Sequence, residues 1–140
     1  MERFTEKYAL VATIDPTGDA TGTSTTDTID CIDVNEIVFV VMTETVAASG
    51  TVDFTVNSGT ATGTITTSVT AITQLVAADD NKQVLVSVLA DNLGAGHRYV
   101  AGVLAQGTAN SECAVVAFAK QKYRPANEHD LATVDEIVIA

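Results

Sequence analysis

Apolar and polar residues alternate along this chain in short runs with a period of two, the period of a strand that buries one face. The cleanest case is residues 51–56, with Val52, Phe54 and Val56 on one side and Thr51, Asp53 and Thr55 on the other. Residues 8–14 (YALVATI), 83–90 (QVLVSVLA), 97–106 (HRYVAGVLAQ) and 112–122 (ECAVVAFAKQK) read as further strands. Residues 28–34 (TIDCIDV) are strand-like but carry Asp30 and Asp33. Residues 36–46 differ, because their centre, IVFVVM, is apolar without alternation. Such a run predicts burial on both faces, or one face in the core and the other against a neighbouring subunit.

Turn chemistry separates these runs. Asp15-Pro16-Thr17-Gly18 closes the first strand, since Pro fixes φ and Gly permits positive φ. Residues 19–26 are small and polar and read as a loop. Residues 47–50 form a hairpin-type connection, Asn57-Ser58-Gly59 a turn, and residues 60–73 an edge strand or a long loop. Asp79-Asp80-Asn81 and the Gly-rich residues 91–96 are turns, and Gly107-Thr108-Ala109-Asn110 is expected to be a hairpin loop between the last two strands. The spacings leave no room for the helical crossovers that parallel strands need, and neither a 3.6-residue period nor a fixed repeat is present. An all-β, antiparallel β-sandwich or barrel follows. One domain over residues 1–125 is expected, with a C-terminal extension at residues 126–140.

Composition narrows the core and the partners. A chain of 140 residues suggests one domain with a proper core. Aromatics are 5% and Trp is absent, so that core is built from Val, Ile, Leu and Ala. The formal net charge of -11 disfavours nucleic acid and anionic membranes, which attract Lys and Arg. No Lys or Arg occurs between Lys7 and Lys82, whereas Lys120, Lys122 and Arg124 gather near the end. The chain therefore has either a uniformly solvated acidic surface or a basic end suited to an acidic neighbour. The first residues lack the apolar stretch of a signal peptide, and the run Ile37 to Met42 is too short to span a bilayer, so neither export nor a membrane partner is expected.

Candidate chemistry is sparse. Cys31 and Cys113 lie in apolar runs and are expected to be small buried hydrophobes and not a disulfide framework. His97 and His129 have no ligand-type neighbours in sequence. Asp27, Asp30 and Asp33, followed by Glu36, lack the spacing and glycine of a calcium loop, and on a strand they point to opposite faces. They read better as charges that blunt a sheet edge. No G-x-S-x-G, P-loop or G-x-G-x-x-G motif is present, and Gly94-Ala95-Gly96 reads as a turn. Few rings are available for a carbohydrate platform. The expectation is a protein without catalytic, cofactor or metal site residues.

Two segments suit protein contact. Lys120, Lys122, Tyr123 and Arg124 place basic charge beside an aromatic ring, and Tyr and Arg are enriched at interface cores. Ile137, Val138 and Ile139 form a short β-branched stretch after a polar spacer. It is able to pair within its own domain, fray, or add to the sheet of another subunit.

The blocks TIDCIDVNEIVFVVMTETV, TVDFTVNSG, QVLVSVLA, HRYVAGVLAQGTA and ECAVVAFAKQKYRP follow one another over roughly residues 26–125. In that order they resemble the head decoration, or cement, proteins of tailed bacteriophages. Thr28-Ile29-Asp30, Arg98-Tyr99-Val100 and Pro125 carry the likeness. The resemblance implies a jelly-roll-like β-sandwich on the capsid exterior, bound to the major capsid protein and bridging capsomers as a homo-oligomer, and together with the two-sided apolar run at residues 36–46 it leads to the expectation of a homotrimer. It implies no cofactor. A tail, fibre or other surface β module that binds a receptor or carbohydrate is the alternative.

Overall fold

One very long strand organises the molecule. In the computed structural model, which describes residues 3–18, 20–123, 129 and 132–138, eight strands form. They are β1 (Tyr8–Ile14), β2 (Ala20–Thr25), β3 (Ile29–Asp30), β4 (Val34–Val46), β5 (Thr51–Gly59), β6 (Thr67–Ala71), β7 (Gln83–Leu89) and β8 (Tyr99–Gln121). Single 3-10 turns sit at Phe4–Glu6, Ala77–Asp79 and Ala90–Asn92. Every strand pair is antiparallel.

The first half of β8 lies between β5 on one side and β2 and β3 on the other, and its second half lies between β4 and β1. β6 extends the sheet beyond β5, and β7 extends it beyond β4. A single eight-stranded sheet thus curls about β8 into a half-barrel, whose two layers face each other as in a sandwich.

The buried side of β8 changes parity where the strand bends. Val100, Leu104 and Gln106 face the core in the first half, and Cys113, Val115, Ala117 and Ala119 in the second. An inward set that moves from even to odd numbers needs an irregular step, and Thr108, at φ 66, supplies it. The β2 ladder shows the same slip, with Gly22 opposite Gln106 but Ala20 opposite Ser111. The buried Gln106 side chain spans the bend, its Nε2 donating to the Ser111 carbonyl at 2.7 Å and reaching Ser111 Oγ at 3.2 Å. A polar group left unpaired at this depth would be destabilising, and Gln106 prevents that.

This arrangement corrects five readings made from the sequence, the first being residues 47–50, which are not a hairpin connection because β4 and β5 each pair with β8 and not with each other. Residues 107–110 are not a hairpin loop, because the two halves of β8 pair with different neighbours and not with each other. Residues 20–25 are a strand and not a loop: the free side of β8 supplies hydrogen-bond partners to a segment, ATGTST, with no apolar signal. The strand expected over residues 28–34 shortens to β3, because Ile32 and Asp33 turn. Asn57-Ser58-Gly59 is the end of β5, still paired with β8. Residues 60–73 contain both the loop and the edge strand β6. β1, β4, β5 and β7 form where the hydrophobic pattern places them.

The core lies between the two layers. Phe39 of β4 and Phe54 of β5 meet across it with ring centroids 5.5 Å apart, and Ile37, Val41, Val56, Leu104 and Val115 surround them, all fully buried. Gly102 makes room for these rings, since a Cβ there would lie 2.4 Å from Phe54 Cζ and 3.3 Å from Phe39 Cε1. Cys31 and Cys113 are separate buried thiols, as small hydrophobes in the core. Burial pushes the Cys31 thiol up to about 12, with the Asp30 charge adding to the effect, and also raises that of Cys113. Neither thiol is primed to be a nucleophile.

Candidate protein-interaction face

The outer surfaces of the two layers have opposite character. On the β5 layer, Asp53, Ala105 and Thr23 stand side by side across three strands, followed by Thr55, Val103 and Thr25. That surface is built from small and polar side chains. On the β4 layer the corresponding rows are Leu10, Phe118, Val38 and Ser87, then Val116, Val40 and Leu85, then Ala114, Met42 and Gln83. The central run of β4 is therefore apolar on both sides because Ile37, Phe39 and Val41 enter the core while Val38, Val40 and Met42 form the middle of an outer face. Leu85 and Leu89 of β7 lie on this face, 70% and 48% exposed. Phe4 extends it at the β1 side, stacked on Tyr8 at 4.8 Å and edge-on to Phe118 at 5.2 Å, yet 56% exposed.

Strand rise and spacing give the size of this face. Glu36 to Glu44 along β4 spans about 26 Å, and four strands with their side chains span about 19 Å, so the footprint is roughly 500 Å². The centre of this footprint is apolar, with Thr13, Gln83 and Ser87 at its margins, and an apolar patch within such a footprint marks an interaction surface.

The ends of the face carry opposite charge. Lys7, Lys120 and Lys122 stand at one end, and together with Tyr123, Glu6 and Asn35 they line a cavity of about 280 Å³. Glu36 is also at that end, opposite Lys120 across the ladder and accepting from Ser87 Oγ at 2.5 Å. At the other end lie Asp15, just after β1, Glu44 on β4 and Glu112 at the start of the second half of β8.

The structure thus brings three of the expected contact residues, Lys120, Lys122 and Tyr123, to one end of the face. Lys122 is also tied to the loop before β4, its backbone N–H donating to the Asp33 carbonyl and its Nζ to the Ile32 carbonyl at 3.1 Å. Ile137 and Val138 are 41% and 77% exposed and belong to no strand, so they do not pair within their own domain. Arg124 and Ile139 lie outside the described residues. Sequence reasoning missed Leu10, Phe118, Leu85 and Leu89 as face residues. The signal for β7 was present, because QVLVSVL is apolar on both of its alternating sides.

The motifs Thr28-Ile29-Asp30 and Arg98-Tyr99-Val100 are partners in the fold. β3 pairs with the start of β8, with Ile29 opposite Val100 and Asp30 opposite Tyr99. Arg98 clamps this pair with a bidentate ion pair to Asp30, at 2.6 and 2.5 Å, and its guanidinium lies 5.4 Å from the Tyr99 ring centre. The arginine holds the Asp30 carboxyl below its ordinary 3.8. The sign follows from that direction: the latch stabilises the fold above the ordinary carboxylate range and is lost as pH falls through the lowered value. The melting temperature of the wild type should therefore exceed that of Asp30→Asn at neutral pH, and the gap should close below about pH 4. A gap that widens on acidification would contradict this role.

One pair has the chemical appearance of a nucleophile and base. Ser58 Oγ lies 2.7 Å from His97 Nδ1. Ser58 is fully buried in β5, however, and among the described residues no carboxylate bonds the ring, so the pair lacks both access and an orienting acid. It fastens the turn before β8 to the end of β5. Asp27 and Asp30 both line one cavity of about 390 Å³, where Asp27 accepts from the Thr13 N–H at 3.4 Å and Asp30 is held by Arg98. Among the described residues no cluster of three or more His, Cys, Asp or Glu is placed to hold a metal ion, and no helix is long and apolar enough to cross a membrane. A scan against protein-family models finds no match for this chain, and a search of curated proteins finds no similar sequence.

Proposed function

We propose that this chain is a virion structural protein, a capsid decoration protein of a tailed bacteriophage that binds the outer surface of the major capsid protein and acts without catalysis. The observation that carries the reading as a protein-binding module is the apolar outer face of the β1–β8–β4–β7 layer, which has the composition of a subunit contact in an assembly and not of a substrate cleft. The resemblance of the segment order to decoration proteins supplies the capsid. Binding only to the assembled shell, at neighbouring capsomers, lowers the free energy of the shell relative to its free subunits, and symmetry repeats the effect. The basic end, with Lys120, Lys122 and Tyr123, suits an acidic neighbour.

Cosedimentation with purified phage heads tests the reading. The full chain is expected to pellet with heads at a saturating ratio and to raise their resistance to heat. A chain lacking Leu131 to Ala140 is expected to bind less while keeping its urea midpoint. Binding to host cells with none to heads would overturn the proposal in favour of a tail or fibre module.

A further inference from the structure

We infer that a second copy of this chain covers the apolar face, with the two copies related by a two-fold axis that lies in the interface and crosses the strands. The inference rests on reading the chain as a protein-binding module, and it identifies the partner of the face. The capsid is then left to the remaining surfaces.

Charge placement selects the partner and its orientation. The face is apolar in the middle, basic at the Lys7, Lys120 and Lys122 end, and acidic at the Asp15, Glu44 and Glu112 end. A rotation about an axis across the strands turns the face end for end, so each basic end meets the partner's acidic end. Lys120 of one copy then approaches Glu112 and Glu44 of the other. Glu6 and Glu36 also stand at the basic end, so its three lysines leave it one positive charge in excess, against three carboxylates at the other end. A rotation about an axis along the strands would stack like ends on one another, which costs stability. The chain carries a net charge of -11, so two copies repel at long range. The basic end gives that repulsion one place to be relieved.

Area agrees with a pair. Two footprints of roughly 500 Å² bury about 1,000 Å² together, the lower bound for a specific interface. Two sheets packed face to face through Val38, Val40 and Val116 make the same kind of contact as the layers of a β-sandwich. The face is used on both copies, so the contact closes on itself.

Light scattering on the full chain, without capsids, tests this. The expected mass at about 100 µM is that of two chains, falling toward one on dilution. Leu85→Lys, at an exposed position, is expected to give a single-chain mass with an unchanged urea midpoint. Lys120→Glu is expected to weaken association at least tenfold, and adding Glu44→Lys is expected to restore most of it. A single-chain or a three-chain mass for the wild type overturns the inference, as does a two-chain mass that Leu85→Lys leaves unchanged. Failure of the rescue overturns the orientation. Cosedimentation with heads is read separately. A wild-type monomer that binds heads sinks only this inference, and a pair that ignores heads sinks only the capsid reading.

Discussion

Replacing Phe39 with alanine is expected to remove about 3–5 kcal/mol of folding stability. Phe39 lies in the central strand of its layer, hydrogen-bonded on both sides, so the backbone cannot close over the space that the ring leaves. Its ring meets Phe54 from the opposite layer and is fully buried. Aromatics are only 5% of the chain, and the other two phenylalanines, Phe4 and Phe118, meet on the outer face, so no spare ring can repack into the gap. Domains of this size are stable by about 5–15 kcal/mol, and the loss is a large part of that. Urea denaturation measures it. Phe54→Ala should cost a similar amount, and the double variant should cost less than the two single losses together, because each removes the other's partner. A loss below about 1 kcal/mol for Phe39→Ala would show that the two layers do not meet there.

Gly59→Ala is expected to cost about 3 kcal/mol, although it adds a single methyl group. A Cβ at this position would lie 2.1 Å from the Thr64 carbonyl oxygen, 2.7 Å from its carbon and 2.9 Å from Ile65 Cα. All three are backbone atoms, so no side-chain rotation relieves the clash, and the loop between β5 and β6 must lift away. Gly59 also pairs with Tyr99, and its carbonyl accepts from the Arg98 N–H at 3.0 Å, so the strain reaches the start of β8. Gly63, in the same loop, has nothing within 4 Å of its Cβ position. Gly63→Ala is the control and should stay within about 0.5 kcal/mol of the wild type. Equal effects at the two sites would mean that the loop does not pack on β5.

Gly59 also shows where local reading stops. In sequence, Asn57-Ser58-Gly59 has turn composition, and the natural reading is that glycine supplies a positive φ. In the fold it is a strand residue, and its missing side chain admits a neighbouring backbone. Both uses produce the same three letters. Only the position of the loop, set by the pairing of β6 with β5, separates them.

The candidate face was partly legible. The unbroken run at Ile37 to Met42 announced a strand with two apolar sides, and one of those sides is now the middle of the exposed face. Its charged ends were not legible, because Asp15, Glu44 and Glu112 are far apart in sequence and share an end only through antiparallel register. The basic end was easier, since Lys120 and Lys122 are neighbours in the chain and only Lys7 had to be brought to them.

By itself the sequence determined that this is an all-β chain, where β1, β4, β5 and β7 run, and which residues of β5 face the core. Alternation with a period of two is local, and burial of one face follows from it directly. The tertiary structure decided that residues 107–110 bend one strand and do not join two, that ATGTST becomes β2, and that one outer layer is apolar while the other is polar. Each of these depends on which strand stands beside which. That choice is made by the ladder along β8 and by the parity change at Thr108, and neither leaves a mark in the hydrophobic pattern of its own segment.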